Sequence, residues 1–177
     1  EEKPMEDKNA VTMIRRLREI REEAFQSLSI YYETVNLEDQ LSEQCGKHAN
    51  YLVLNPEQGN AWPDAHEEYA NREGFSPEGA WAGLHCVIHF TPDPVEALNG
   101  WMRTFYHRLP LLDPGLFGVG YGNAGEVTVL DTASLIARDG SNVWVVWPPS
   151  GAVDVPNSFE PELPNPVPGE DQSTWGY

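Results

Sequence analysis

At 177 residues, 40% of them hydrophobic and with 6 Trp, 7 Tyr and 6 Phe, the chain can bury one sizeable core, which excludes a wholly disordered segment and a small disulfide scaffold. Its net charge of −17 is uneven: six of the eleven Lys and Arg residues fall in the first 23 positions, and from Ala24 onward 5 basic residues face 21 acidic ones. Such a surface repels phosphate backbones and anionic lipid, so nucleic acid is excluded as a partner, and no apolar run reaches the ~18 residues that span a bilayer.

Ile14, Leu17, Ala24, Leu28 and Tyr31 recur at the spacing of one helical face, with Arg and Glu between them, which predicts an amphipathic helix over about residues 7–32. Asn36 is then the expected N-cap of a second helix, with Asp39 completing a capping box. Leu37, Leu41, Cys45, Ala49 and Leu52 carry that helix to about Leu54, where Asn55-Pro56 ends it. The stretch 57–83 has no period and contains Pro63, Pro77 and several glycines; a loop this long inside a compact domain is usually functional.

Residues 86–90 form a short apolar strand candidate. Thr91 followed by Pro92 reads as an N-cap with proline at the first helical position. Val95, Leu98, Met102 and Phe105 line the third helix, which Pro110 is expected to close. Strands are predicted at 117–121, 127–130 and 143–147, separated by glycine-containing turns. Two helices, a loop, a third helix and then consecutive strands indicate an α+β fold with an antiparallel sheet rather than a doubly wound parallel one.

The last 30 residues, 148–177, hold 7 of the 15 prolines and 5 acids without Lys or Arg. We therefore divide the chain into a folded domain over 1–147 and an extended acidic segment over 148–177. The N-terminal Glu-Glu-Lys-Pro-Met is no signal peptide and reads as a trimmed start. The aromatic end Trp175-Gly-Tyr177 suggests that the natural protein continues beyond it. Cys45 and Cys86 lack metal-type spacing and fit either two buried thiols or a single disulfide.

The chain has no G-x-S-x-G elbow, P-loop or H-E-x-x-H motif. The run Gly118-Val-Gly-Tyr-Gly122 is followed by a strand, not a helix, so its glycines are expected to let another layer approach closely. Of the five histidines, His48 sits beside core positions and reads as structural. His66 lies in the long loop with Glu67 and Glu68. His85 and His89 are four apart in the strand candidate and could share a face. His107 follows Trp101 by six residues, between Tyr106 and Arg108.

Trp101-Met-Arg-Thr-Phe-Tyr-His107, the following Pro-Leu-Leu-Asp-Pro and the 117–122 Gly-x-Gly strand together resemble the second half of a CAP-superfamily domain. That superfamily comprises the cysteine-rich secretory proteins, antigen 5 and the plant pathogenesis-related proteins; the likeness is to a divergent bacterial branch. Upstream, the run 41–49, Leu-Ser-Glu-Gln-Cys-Gly-Lys-His-Ala, is similar to the family's second core helix, and Ala65-His66 to its first cavity histidine. The resemblance spans about residues 14–147.

It implies a three-layer α-β-α sandwich with a central antiparallel sheet, in a secreted or surface-attached protein. It also implies a cleft with two histidines, which bind a divalent metal in some members, and two acids. His66 and His107 match the histidines. The acids do not match: Leu84 and Thr104 stand where the family has glutamates. Two imidazoles alone make an incomplete tetrahedral site, so Zn²⁺ is expected to bind weakly or not at all. Glu67, Glu68 and His85 are the candidate substitutes.

The expectation is thus a non-catalytic, monomeric CAP-like domain that binds a small-molecule or protein ligand of the cell envelope or extracellular space. His66, His107, Tyr106, Trp101, His85 and Glu67 would line its cleft. The rival expectation is a metal-dependent hydrolase using His66 and His107 with a non-family acid.

Overall fold

A computed structural model describes residues 8–25, 35–59, 64–137, 147–148, 151, 153, 161–162, 165, 167 and 169–171. Among them the chain forms a mixed α/β fold. Its helices are α1 (Lys8–Phe25), α2 (Asp39–Leu54), α3 (Pro77–Gly83), α4 (Pro94–Arg103) and α5 (Phe105–Leu111). Its strands are β1 (Asn36–Leu37), β2 (Cys86–His89), β3 (Leu116–Ala124) and β4 (Val127–Ile136). They form one open sheet in the order β1-β3-β4-β2. The expected antiparallel sheet is in fact mixed, because β1 runs parallel to β3 while β3–β4 and β4–β2 are antiparallel.

The unpredicted strand β1 also displaces the expected N-cap. Asn36 and Leu37 pair with Gly118 and Val119, so their backbone serves the sheet, and α2 starts only at Asp39. Glu38 caps it without a side-chain hydrogen bond; its own N–H donates to the Val119 carbonyl at 2.9 Å. The first helix is described over Lys8–Phe25, and the rest of its predicted span lies outside the described residues. So does the body of the strand expected at 143–147, of which Trp147 alone is described, packed against the core.

The third predicted helix is two helices. Asp93, not Thr91, caps the first, accepting from the N–H groups of Val95 and Glu96 with Pro94 just inside. A carboxylate that takes two orphan donors outcompetes the threonine two residues earlier. Thr104 then adopts an extended backbone (φ −104°, ψ 152°), which breaks the helix before α5, and Pro110 lies inside the last turn of α5.

Alternate sheet residues feed two apolar clusters. The paired row Val87, Leu130 and Tyr121 joins the cluster of Met13, Leu17 and Ile20 from α1 with Leu98 and Trp101 from α4. The next row, Ile88, Val129 and Gly122, belongs to the face that meets α2 and α3, where Cys45, Ala49, Leu52 and Ala82 are buried. Both cysteines are free thiols, and Cys45 donates to the Gly120 carbonyl at 3.4 Å.

The glycines of β3 make this close contact possible. A Cβ at Gly120 would lie 2.5 Å from Leu41, and one at Gly122 would overlap the backbone of Cys45 and Gly46. On the other side of the same contact, a Cβ at Gly46 would meet nothing within 4 Å. The two glycines should therefore respond in opposite directions in urea unfolding. Gly122→Val should cost about 3 kcal/mol by overpacking, whereas Gly46→Ala should add about 0.5–1 kcal/mol by removing a flexible residue from a helix.

Candidate functional site

The long loop after α2 is fixed from beneath by a buried histidine. His48, fully buried on α2, places Nε2 3.0 Å from the carbonyl of Ala65 and Nδ1 3.0 Å from Glu68 Oε1. The carbonyl can only accept, so Nε2 carries a hydrogen; the Nδ1 contact then requires a second proton between imidazole and carboxylate. Neither side chain of this pair is exposed. The other Glu68 oxygen accepts the Ser76 N–H at 2.9 Å, just before α3. Ser76 in turn caps α3 by accepting from Gly79 N–H, with Pro77 at the first helical position.

Helix α3 lies over this pair on its glycines. A Cβ at Gly83 would come within 2.7 Å of both His48 Cε1 and the His66 carbonyl, and one at Gly79 would collide with Glu68. The end of α3 thus reaches His66, whose Nδ1 donates to the Gly83 carbonyl at 2.8 Å. Cys86 Sγ donates to the same carbonyl at 3.4 Å and sits 4.0 Å from His66 Nδ1.

Burial lowers the His66 pKa below its ordinary 6.5, and the charges of His48 and His107 push the same way against the Gly83 hydrogen bond. With Nδ1 donating, the neutral ring carries its lone pair on Nε2. Burial likewise pushes the Cys86 thiol well up, with Cys45 and Asp131 adding to it, so this sulfur is held as a thiol.

His107 is held from a different direction. The break at Thr104 turns α5 so that Thr104 Oγ1, which donates to the Trp101 carbonyl at 3.1 Å, stands 3.0 Å from His107 Nδ1. The same nitrogen contacts Oε2 of Glu162, whose Oε1 accepts the Tyr106 N–H. Glu162 comes from the proline-rich acidic segment, yet it is only 1% exposed.

The other expected site residues fall elsewhere. Trp101 is a core residue: it is 1% exposed, and its indole N–H donates to the Ile88 carbonyl at 2.9 Å, tying α4 to β2. Glu67 turns to the Tyr69 hydroxyl, which donates to Asp64 at 2.8 Å. His85 precedes β2 rather than lying in it; it donates to the Trp81 carbonyl at 2.7 Å and stacks on the Trp81 ring at 4.1 Å. His89 closes β2 and meets Trp101 edge-on, so His85 and His89 share no strand face. Tyr106 is exposed on α5 beside His107, and Leu84 points to solvent at 65% exposure.

Among the described residues, no group of three or more His, Cys, Asp and Glu side chains is placed to hold a metal ion, and no helix is long and apolar enough to cross a membrane. Comparison with protein-family models, curated proteins and solved structures finds no match for the chain.

Two measurements check this arrangement. Glu68→Ala strands a buried imidazole and should cost about 3–5 kcal/mol in chemical unfolding, with Glu68→Gln, which keeps the shape, costing less. The lowered pKa of His66 means that the unfolded chain takes up a proton that the folded chain refuses. The contribution of neutral His66 is complete above pH 6.5 and is lost as pH falls below it toward the folded value. His66→Asn should therefore flatten the fall in stability on acidification below pH 6.5.

Proposed function

We propose that the chain is a divergent CAP-superfamily domain of the secreted or surface-attached kind, and that it binds a ligand at His66 and His107 without catalysing its conversion. In this reading α1 with α4, and α2 with α3, are the outer layers of an α-β-α sandwich around the sheet. The ligand is a small molecule or a protein segment of the cell envelope or extracellular space, and the protein acts as a monomer.

One observation carries the proposal. Both imidazoles turn Nδ1 to an acceptor, the Gly83 carbonyl for His66 and the Thr104 hydroxyl oxygen for His107, with the Glu162 carboxylate close beside the second. Nε2 is then the nitrogen with which each ring would meet a ligand. Exposed Tyr106 supplies an aromatic edge beside His107.

The Glu162 carboxylate favours a second reading, the metal-dependent hydrolase with a non-family acid. Histidines that ligate metals commonly donate their other nitrogen to a carbonyl or carboxylate; His66 donates to the Gly83 carbonyl, and the Glu162 carboxylate stands beside the His107 ring.

Titration of protein labelled with ¹⁵N-histidine against a library of small polar fragments tests the first reading. A fragment that binds the site should shift both imidazoles together, and the binding should disappear in His66→Ala and in His107→Ala. Fragments that move one ring alone, or that bind either variant as tightly as the parent, overturn it. Added Zn²⁺ separates the two readings: it should bind weakly and leave with a chelator. Stoichiometric, chelator-resistant zinc lost on substituting either histidine would replace the binding module with the hydrolase.

A further inference from the structure

We propose that the exposed face of α5 is the docking surface for the chain's own acidic segment, residues 154–167, with Glu162 as the anchor that seats it. This docking does not depend on a ligand at His66 or His107.

The surface differs in charge from the rest of the molecule. No acid occurs between Glu96 and Asp113, while Arg103, His107 and Arg108 do, so two of the five basic residues that follow Ala24 fall on this stretch of a chain of net charge −17. The surface is also apolar. Phe105, Tyr106 and Leu109 are each nearly half exposed, the first two rings meet edge to face, and the Arg108 guanidinium lies 5.6 Å over the Phe105 ring. Phe105 and Leu109 stand one helical turn apart and form a single stripe beside that cation.

The segment 148–177 has the complementary chemistry, with 5 acids, no Lys or Arg, and Phe159, Leu163 and Val167 among 7 prolines. Proline stiffens an extended chain, which then has less freedom to lose on docking. Among its described residues only Glu162 is buried, and it is buried at α5: Oε1 accepts the Tyr106 N–H and the carboxylate lies against the His107 ring. An extended chain advances at most ~3.6 Å per residue, so Phe159 lies within ~11 Å of this fixed point and Leu163 within one step of it. Phe105 directly precedes Tyr106, and Leu109 is one turn further on. The anchor therefore delivers Phe159, Glu160 and Leu163 to the apolar stripe and its cation.

Chymotrypsin cleavage of the full chain after Phe159, located by mass spectrometry, reads the docking. Rates are taken relative to a synthetic 148–177 peptide of the same sequence. The parent should be cut slowly, and Glu162→Ala, which removes a charged hydrogen-bond partner, should be cut about tenfold faster. Leu109→Ser and Arg108→Glu, surface changes outside the Glu162 contact, should speed the same cut while keeping the parent's urea midpoint. A parent cut as fast as the free peptide, or surface variants with the parent rate, overturns the proposal. Protection that falls on dilution also overturns it, by assigning the segment to α5 of a second copy. Benzoylphenylalanine in place of Leu109 identifies the occupant without any loss of the anchor. Irradiation should join position 109 to residues 154–167 of the same chain, and a crosslink to any other part, or between chains, overturns the assignment.

Discussion

The close seating of α2 on the glycine face of β3 is the constraint from which the rest of the structure follows. Gly120 and Gly122 leave no room for a Cβ, so the backbone of α2 at Leu41, Cys45 and Gly46 rests directly on the strand. The same contact is bonded at its start: Ser42 Oγ accepts the Tyr121 N–H at 3.1 Å while donating to the Glu38 carbonyl at 2.8 Å. With α2 fixed at this distance, His48 is carried to one place above the sheet. From there its two ring nitrogens hold both ends of a short arc of loop, Ala65 and Glu68. His66 lies inside that arc. Its orientation is therefore a consequence of helix–sheet packing, transmitted through one buried imidazole.

The opposite side of the molecule uses charge on carbonyls to the same end. Arg21, 2% exposed on α1, donates to the carbonyls of Leu111 at 2.8 Å, Asp113 at 3.1 Å and Leu116 at 3.1 Å. These carbonyls belong to the turn that leads from α5 into β3, where no helix or ladder partner serves them all. One planar guanidinium thus fixes the C-terminal end of α5 against α1. Trp101 fixes the preceding helix against β2, and the extended Thr104 between them sets the angle at which His107 leaves.

Periodicity made α1, α2 and the first half of the third helix legible, because each buries one apolar stripe. Alternation and glycine turns likewise gave β2, β3 and β4. What escaped was decided by partners distant in sequence. Asn36 and Asp39 form a plausible local cap, but pairing of Asn36–Leu37 with Gly118–Val119 competes for the same backbone groups and wins. Helix α3 was partly visible: Ser76-Pro77 is an N-cap signal of the kind recognised elsewhere in the chain, yet its glycine-rich body has no apolar period. The site was readable to the same extent. The family resemblance singled out His66 and His107, and the helical pattern a structural His48, but the acids beside them were not legible. Glu68 was one of several loop acids, and nothing in the spacing of a proline-rich segment distinguishes Glu162 from its acidic neighbours.

That last failure has an electrostatic logic. In a chain of net charge −17, most carboxylates remain in water, where self-repulsion is screened. The described carboxylates that go inside are those with dedicated donors. Asp131 accepts from the Ala133 and Ser134 N–H groups and the Ser134 hydroxyl, Glu68 meets His48 and the Ser76 N–H, and Glu162 meets His107 and the Tyr106 N–H. Two of these three meet histidines, one under the His66 loop and one at His107. The imidazole that each acid touches is therefore the counterpart that permits its burial. In so acidic a protein the inward-facing acids are selected by donor geometry, which depends on the assembled fold and not on local composition.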